Sequence, residues 1–233
     1  NAYLPEMRMK QICFPIPRIL NKLTKTLKTR SNMTWIKTIK FEDAIGEIKD
    51  LYQRIKGPND NVDNIMMAHS LRPHSMVGHM ALYKNVIHHP RNTLPKWLLE
   101  AIGVCVSSIN NCDYCLEHHY EGMRKLLKDD VRSKNIRTSL EQNNPEEVFE
   151  GIELAAIIYS INLTLRPDKV SLNDINKLRE TGLDDGQILE INQVASYFAY
   201  ANRMVLGLGV NKDGDIIGLS PNDGDDVNNW SHS

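Results

Sequence analysis

The chain contains no apolar run approaching the roughly 20 residues that a membrane-spanning helix requires, and it is expected to be soluble. Net charge is nearly absent as well. Twenty-eight Lys and Arg against 29 Asp and Glu leave -1, which removes any general electrostatic case for nucleic acid or an anionic membrane surface. Cysteines are few: four in 233 residues, with Cys13 and Cys105 alone and Cys112 and Cys115 forming a CxxC. That usage is not a disulfide framework; it reads as a reducing, cytoplasmic setting with a single redox or metal pair. Also missing are a Gly-rich phosphate loop, a GxSxG, an internal repeat, and period-two alternation over more than a few residues. The last absence argues against a sheet.

The remaining composition, 41% hydrophobic and 24% charged, suits one globular domain with a full core. Three regions are expected: an extension over 1–32, a domain over 33–210 and an acidic tail over 211–233. Residues 1–40 hold nine Lys or Arg against the single acid Glu6, and the segment from Asn211 onward has five Asp and one Lys. In the extension, Ile16, Ile19, Leu20, Leu23 and Leu27 recur at helical spacing among lysines, the pattern of a basic amphipathic helix. Three readings compete for it: a helix docked on the body or a neighbouring subunit, an organellar targeting segment, and translated sequence upstream of a start at Met33.

From there helix follows helix, and the fold class is all-α. The apolar spacing predicts helices over 41–55, a short one near Met66, 74–88, one opened by Leu94-Pro95, 116–127, one from Pro145, 171–180 and 187–208. Residues 128–144 read as a polar connector.

The chemistry-bearing residues gather in 100–119. The segment 96–109 is apolar almost all round and is expected in the bundle interior, with Glu100 in its middle. A carboxylate there is costly unless paired or held for a task. Asn110-Asn111 break the helix and put Cys112 and Cys115 in the first turn of the next one, where unpaired N–H groups and the helix dipole favour thiolate. Cys115 and His119, four apart, share a helical face. A thiolate near a histidine can attack an O–O bond, a neighbouring thiol can capture the sulfenic acid as a disulfide, and a glutamate can pass protons through the histidine. Metal binding by Cys112, Cys115 and one of His118 and His119 is the rival reading; adjacent histidines point about 100° apart on a helix, so only one would join the thiols.

The string Glu100-x11-Cys112-x2-Cys115-x3-His119 resembles the signature of the alkylhydroperoxidase D-like group within the carboxymuconolactone decarboxylase superfamily. CDYCLEHH, with Ser70-Leu71-Arg72-Pro73, Asn202-Arg203 and Gly207-Leu208-Gly209-Val210, is similar to the branch described as peroxidase-related proteins. The resemblance covers 33–210. It implies an all-helical homo-oligomer, trimeric or hexameric, that reduces hydrogen peroxide or organic hydroperoxides with a dithiol reductant and no cofactor or metal. By motif position Cys115 attacks the peroxide, Cys112 resolves, His119 is the base and Glu100 starts the relay. Relatives carry a second histidine between the cysteines where this chain has Tyr114, which can donate a hydrogen bond but is a poor base at neutral pH.

Other positions have plainer readings. His118 reads as a surface or interface residue and, with Tyr114, His79 and Arg203, as possible pocket lining. Glu117 reads as a solvated charge or the partner of a cation, Met66, Met67, Met76 and Met80 as core filling, and Cys13 and Cys105 as unreactive packing. The alternative function is a dithiol redox sensor or partner-binding oligomer, or a decarboxylase-like enzyme using the same pocket.

Overall fold

In the computed structural model the described residues are 33–221, 226 and 229–233; the expectations for the basic extension and for Cys13 lie outside them. Nine α-helices follow one another among the described residues: α1 (Gly46–Ile55), α2 (Asn64–Met67), α3 (Pro73–Ile87), α4 (Lys96–Ile109), α5 (Asp113–Leu127), α6 (Asp130–Glu141), α7 (Gly151–Leu165), α8 (Leu172–Glu180) and α9 (Asp185–Leu208). The only β feature described is one isolated antiparallel bridge, Pro221 with His232.

Helix α4 is the axis of the bundle because it has no polar face. Every residue from Leu98 to Ser107 is buried, and α5, α6, α7 and α9 pack around it. Each large apolar side chain so buried contributes about 1.5–3 kcal/mol. Close approach to α9 depends on Gly103, where an added Cβ would lie 2.3 Å from the Phe198 ring. A second apolar cluster joins α1, α2 and α3 to Trp230.

Two sequence expectations need correction. Residues 128–144 are not a connector, because 130–141 form α6, capped by the Asp129 side chain accepting from Arg132 N at 2.9 Å. Its few apolar positions, Ile136 and Leu140, are buried, and such a sparse stripe is easily missed among charges. Pro145 starts a 3-10 turn over Pro145–Glu147, and α7 begins only at Gly151, whose φ of 50° suits a glycine.

The described part of the acidic tail is packed on the helices. Asn211 N donates to Met33 O at 3.0 Å, and Leu219, Trp230 and His232 are buried. The Lys84 ammonium, itself buried, donates to the Asp226 and Asn229 carbonyls.

Candidate active site

The break between α4 and α5 is what places the thiols. Asn111 takes φ 55°, a left-handed conformation that asparagine tolerates better than most residues. The chain thereby turns back so that Cys112 N donates to Ser107 O at 2.9 Å, and Cys112 becomes the N-cap of α5 with Cys115 one turn in. Asn202 on α9 fixes the turn from the far side. It accepts from Asn110 Nδ2 at 2.9 Å, donates to Ser107 Oγ at 3.0 Å and hydrogen-bonds both sulfurs, which favours their ionised form.

Both cysteines are free thiols, buried and hydrogen-bonded to each other. The bond from Cys115 holds Cys112 below the usual thiol range, against the opposing effect of burial. Cys115 is pushed well above that range by the same bond, by burial and by the charge on Cys112. Access is divided the other way, because Cys115 lines the adjacent cavity. Cys105, deep in α4, is pushed up to about 12 by burial, in keeping with a packing role.

Glu100, 1% exposed, is not an unpaired charge: its Oε2 lies 2.6 Å from His119 Nδ1 and its Oε1 lies 3.7 Å from His88 Nε2. A hydrogen bond at Nδ1 leaves the other ring nitrogen of His119 for chemistry. Two features hold this geometry. Gly122 on α5 makes room for the carboxylate, since a Cβ there would stand 3.3 Å from Glu100 Cδ. Phe198 meets the His119 ring edge-on, with centroids 4.4 Å apart.

Cys115, Glu100 and His119 line one cavity with about 40 Å³ of space open to water-sized molecules. Its walls include Tyr83 and Tyr197, stacked at 5.5 Å, and His79, whose Nε2 lies 3.2 Å from Tyr197 Oη. Burial and the neighbouring His69 lower His79 to about 3, so that ring is neutral.

The opposite wall was only partly foreseen. His118 is a cavity residue and not a surface one: it is buried, packed against Tyr114 with the rings tilted by 30° and centroids 4.6 Å apart, and its Nε2 lies 3.6 Å from Asp215 Oδ2. Tyr114 donates to Asp215 Oδ2 at 2.7 Å and accepts from Ile65 N at 3.2 Å. Burial and the Asp215 and Asp63 carboxylates push its phenol well above the usual range, so it acts as a donor. Asp63 and His232 also line this wall, and burial raises the Asp63 carboxyl. Sequence reasoning missed Asp63, Asp215 and His232, which stand in loops and the tail with no periodic or motif signal. Arg203 is not pocket lining, because α9 turns Asn202 and Val205 inward while Arg203 is exposed and caps Ala199 O at 2.6 Å. Glu117 is the partner of a cation, held by Arg137 Nη2 at 2.6 Å and Nη1 at 3.0 Å. Among the described residues, no three His, Cys, Asp or Glu side chains converge as a metal site.

Neither a family model nor a curated protein matches the chain. Solved structures do. An uncharacterized peroxidase-related protein from Silicibacter sp. TM1040 superposes with TM-score 0.68 at 21% identity, over 81% of this chain and 96% of that one. An alkylhydroperoxidase AhpD core, an uncharacterized peroxidase-related protein from Ralstonia eutropha JMP134, gives TM-score 0.66 at 18% identity over 78% and 94%. The debrominase Bmp8 in its apo form gives 0.60 at 15% over 79% and 93%. At these identities the likeness shows the fold: the chain has the AhpD-like all-helical architecture.

Proposed function

We propose that the protein is a thiol peroxidase that reduces a hydroperoxide through Cys115 and Cys112. The observation that carries this reading is the 2.6 Å contact between buried Glu100 and His119, set on the same cavity as the Cys115 thiol. His119 takes the Cys115 proton. The Cys115 thiolate then attacks one peroxide oxygen. The O–O bond breaks, the departing alkoxide or hydroxide takes a proton from His119, and Cys115 is left as a sulfenic acid. Cys112 attacks that sulfur, hydroxide leaves and is protonated to water, and the two cysteines become a disulfide. A dithiol reductant returns two electrons and two protons.

Exposed apolar side chains on α7 and α9, among them Ile158, Leu165, Leu189 and Leu206, support self-association as well, and sedimentation of the full chain tests it. A reducing cytoplasmic setting fits the free thiols.

The test follows hydrogen peroxide loss in the presence of a dithiol such as dithiothreitol. Wild type should consume peroxide and accumulate the Cys112–Cys115 disulfide when reductant is withheld. Cys115→Ser should abolish turnover, and Cys112→Ser should stop at a sulfenic acid that dimedone traps. Reduced wild type that consumes neither hydrogen peroxide nor an organic hydroperoxide would refute the proposal.

A further inference from the structure

We propose that the C-terminal segment, Gly218 to Pro221 together with His232, is the outer wall of the thiol cavity and restricts it to oxidants the size of hydrogen peroxide. The choice of oxidant rests on the peroxidase reading above; the wall itself does not. Leu219, Ser220 and His232 line the same cavity as Cys115 and the Glu100–His119 pair.

The segment is docked on both flanks. Toward α5, the helix that carries Cys115, Lys125 Nζ donates to Gly218 O at 2.9 Å. Gly218 takes φ 76°, and a Cβ there would lie 2.3 Å from Glu121 Cγ, so the backbone lies flush on the helix where only glycine fits. Toward the end of α1, Leu219 Cδ1 sits 2.8 Å from the place a Gly57 Cβ would occupy. His232 Nδ1 and Ile55 O are 2.7 Å apart. Ser220 and Ser233 exchange backbone hydrogen bonds at 3.2 and 3.0 Å, which ties the two halves of the wall together.

The volume sets the consequence. A buried water takes about 10–15 Å³ in the same measure, so 40 Å³ holds roughly three water-sized molecules. Hydrogen peroxide fits such a space; a hydroperoxide bearing a phenyl ring and a branched carbon does not unless the wall moves. Leu219 is the side chain whose shortening opens the cavity with least disturbance, because it makes no hydrogen bond through its side chain. The segment lies outside the motif that carries the thiols, so size selection and thiol chemistry are separable by mutation.

The wall is tested on the reduced full chain without any peroxide. Cys115 is modified with iodoacetamide or with N-pyrenylmaleimide, and fragment masses separate Cys115 from Cys112. Relative to a cysteine peptide, wild type should favour the small reagent by at least 100-fold. Leu219→Ala and Gly218→Ala should each lower that preference at least 10-fold, and Leu219→Ala keeps the question answerable if the glycine variant does not fold. Equal relative rates in wild type, or a preference unchanged in folded Leu219→Ala, would overturn the wall.

The oxidant is tested by kcat/KM for cumene hydroperoxide against hydrogen peroxide, a ratio that Leu219→Ala should raise at least 10-fold. A ratio that does not rise when the labelling preference falls would overturn the substrate limit. If no form of the protein consumes either peroxide, the peroxidase reading and the oxidant assignment fall together, and the labelling result still decides the wall.

Discussion

Glutamine in place of Glu100 probes the relay at the contact that defines it. The substitution keeps shape and burial and removes the charge that faces His119 Nδ1 at 2.6 Å. A hydrogen bond to a charged group contributes about 1.5–3 kcal/mol and a neutral one about 0.5–1.5 kcal/mol. The difference of about 1–2 kcal/mol corresponds to about 5- to 30-fold in rate if Glu100 does no more than orient the imidazole. If Glu100 also carries the proton, the loss should reach the range of about 100- to 10,000-fold associated with general acid–base groups. The second range is expected, because the carboxylate has an imidazole at each oxygen, His119 and, farther away, His88. Stability should change little, since the lost bond is offset by relief of a buried charge whose desolvation costs several kcal/mol. The melting temperature should move by no more than about 4 °C, on a scale of about 2–4 °C per kcal/mol for a unit of this size. Stopped-flow oxidation of reduced protein, followed by thiol titre, gives the rate, and circular dichroism gives the melting curve. A variant that keeps its fold and oxidises within about 30-fold of wild type would refute the relay.

Other consequences are open to direct measurement. Gly103→Ala drives a methyl group into the Phe198 ring, 2.3 Å from the Cβ position, and should cost about 1–3 kcal/mol in urea unfolding, as overpacking does; an unchanged midpoint would show that α4 and α9 separate easily. Tyr114→Phe leaves Asp215 and Ile65 N without the phenol and should cost about 1–3 kcal/mol. His79 fixes an acid limb of stability: its folded value is near 3 against about 6.5 unfolded, so protons bind the unfolded chain more tightly. Its contribution is complete above pH 6.5 and is lost progressively as pH falls toward about 3, with a slope of up to about 1.4 kcal/mol per unit. His79→Gln should flatten that limb in acid titration of unfolding, and an identical slope would locate the sensitivity elsewhere, for example at His69 or His232, whose rings burial also lowers.

What the sequence made legible follows from how each feature is encoded. Helices with a dense apolar stripe, α4 and α9 above all, are written in local spacing, and so is the relation of Cys115 to His119 one turn apart. The distance from Glu100 to His119 is also local, because a single break between two packed helices brings their facing positions together. Helix α6 was hidden because its packing needs only Ile136 and Leu140, too few to stand out among charged neighbours. The far wall was hidden for a different reason. Asp63 lies in a loop, and Asp215 and His232 lie in a segment whose composition reads as a solvated tail; their burial is decided by tertiary contacts such as Asn64 N to Asp215 at 3.1 Å. His118 was left between a surface or interface position and pocket lining, because on one helix only a neighbour from another part of the chain decides whether a position next to a motif residue faces solvent.

The two thiols differ in access, Cys115 lining the cavity and Cys112 standing behind it, and that difference constrains the proposed chemistry. A permanent thiolate on the cavity-facing sulfur would meet any electrophile that entered. Here burial and the neighbouring Cys112 push the cavity-facing Cys115 thiol well above the usual range, while the hydrogen bond from Cys115 lowers Cys112. On the peroxidase reading proposed above, transfer of the Cys115 proton to His119 makes Cys115 the nucleophile and leaves Cys112 beside it to attack the resulting sulfenic acid. The same contact therefore serves both steps, first as a hydrogen bond and then as the line of disulfide closure. Asn202, bonded to both sulfurs from α9, favours ionisation at either one.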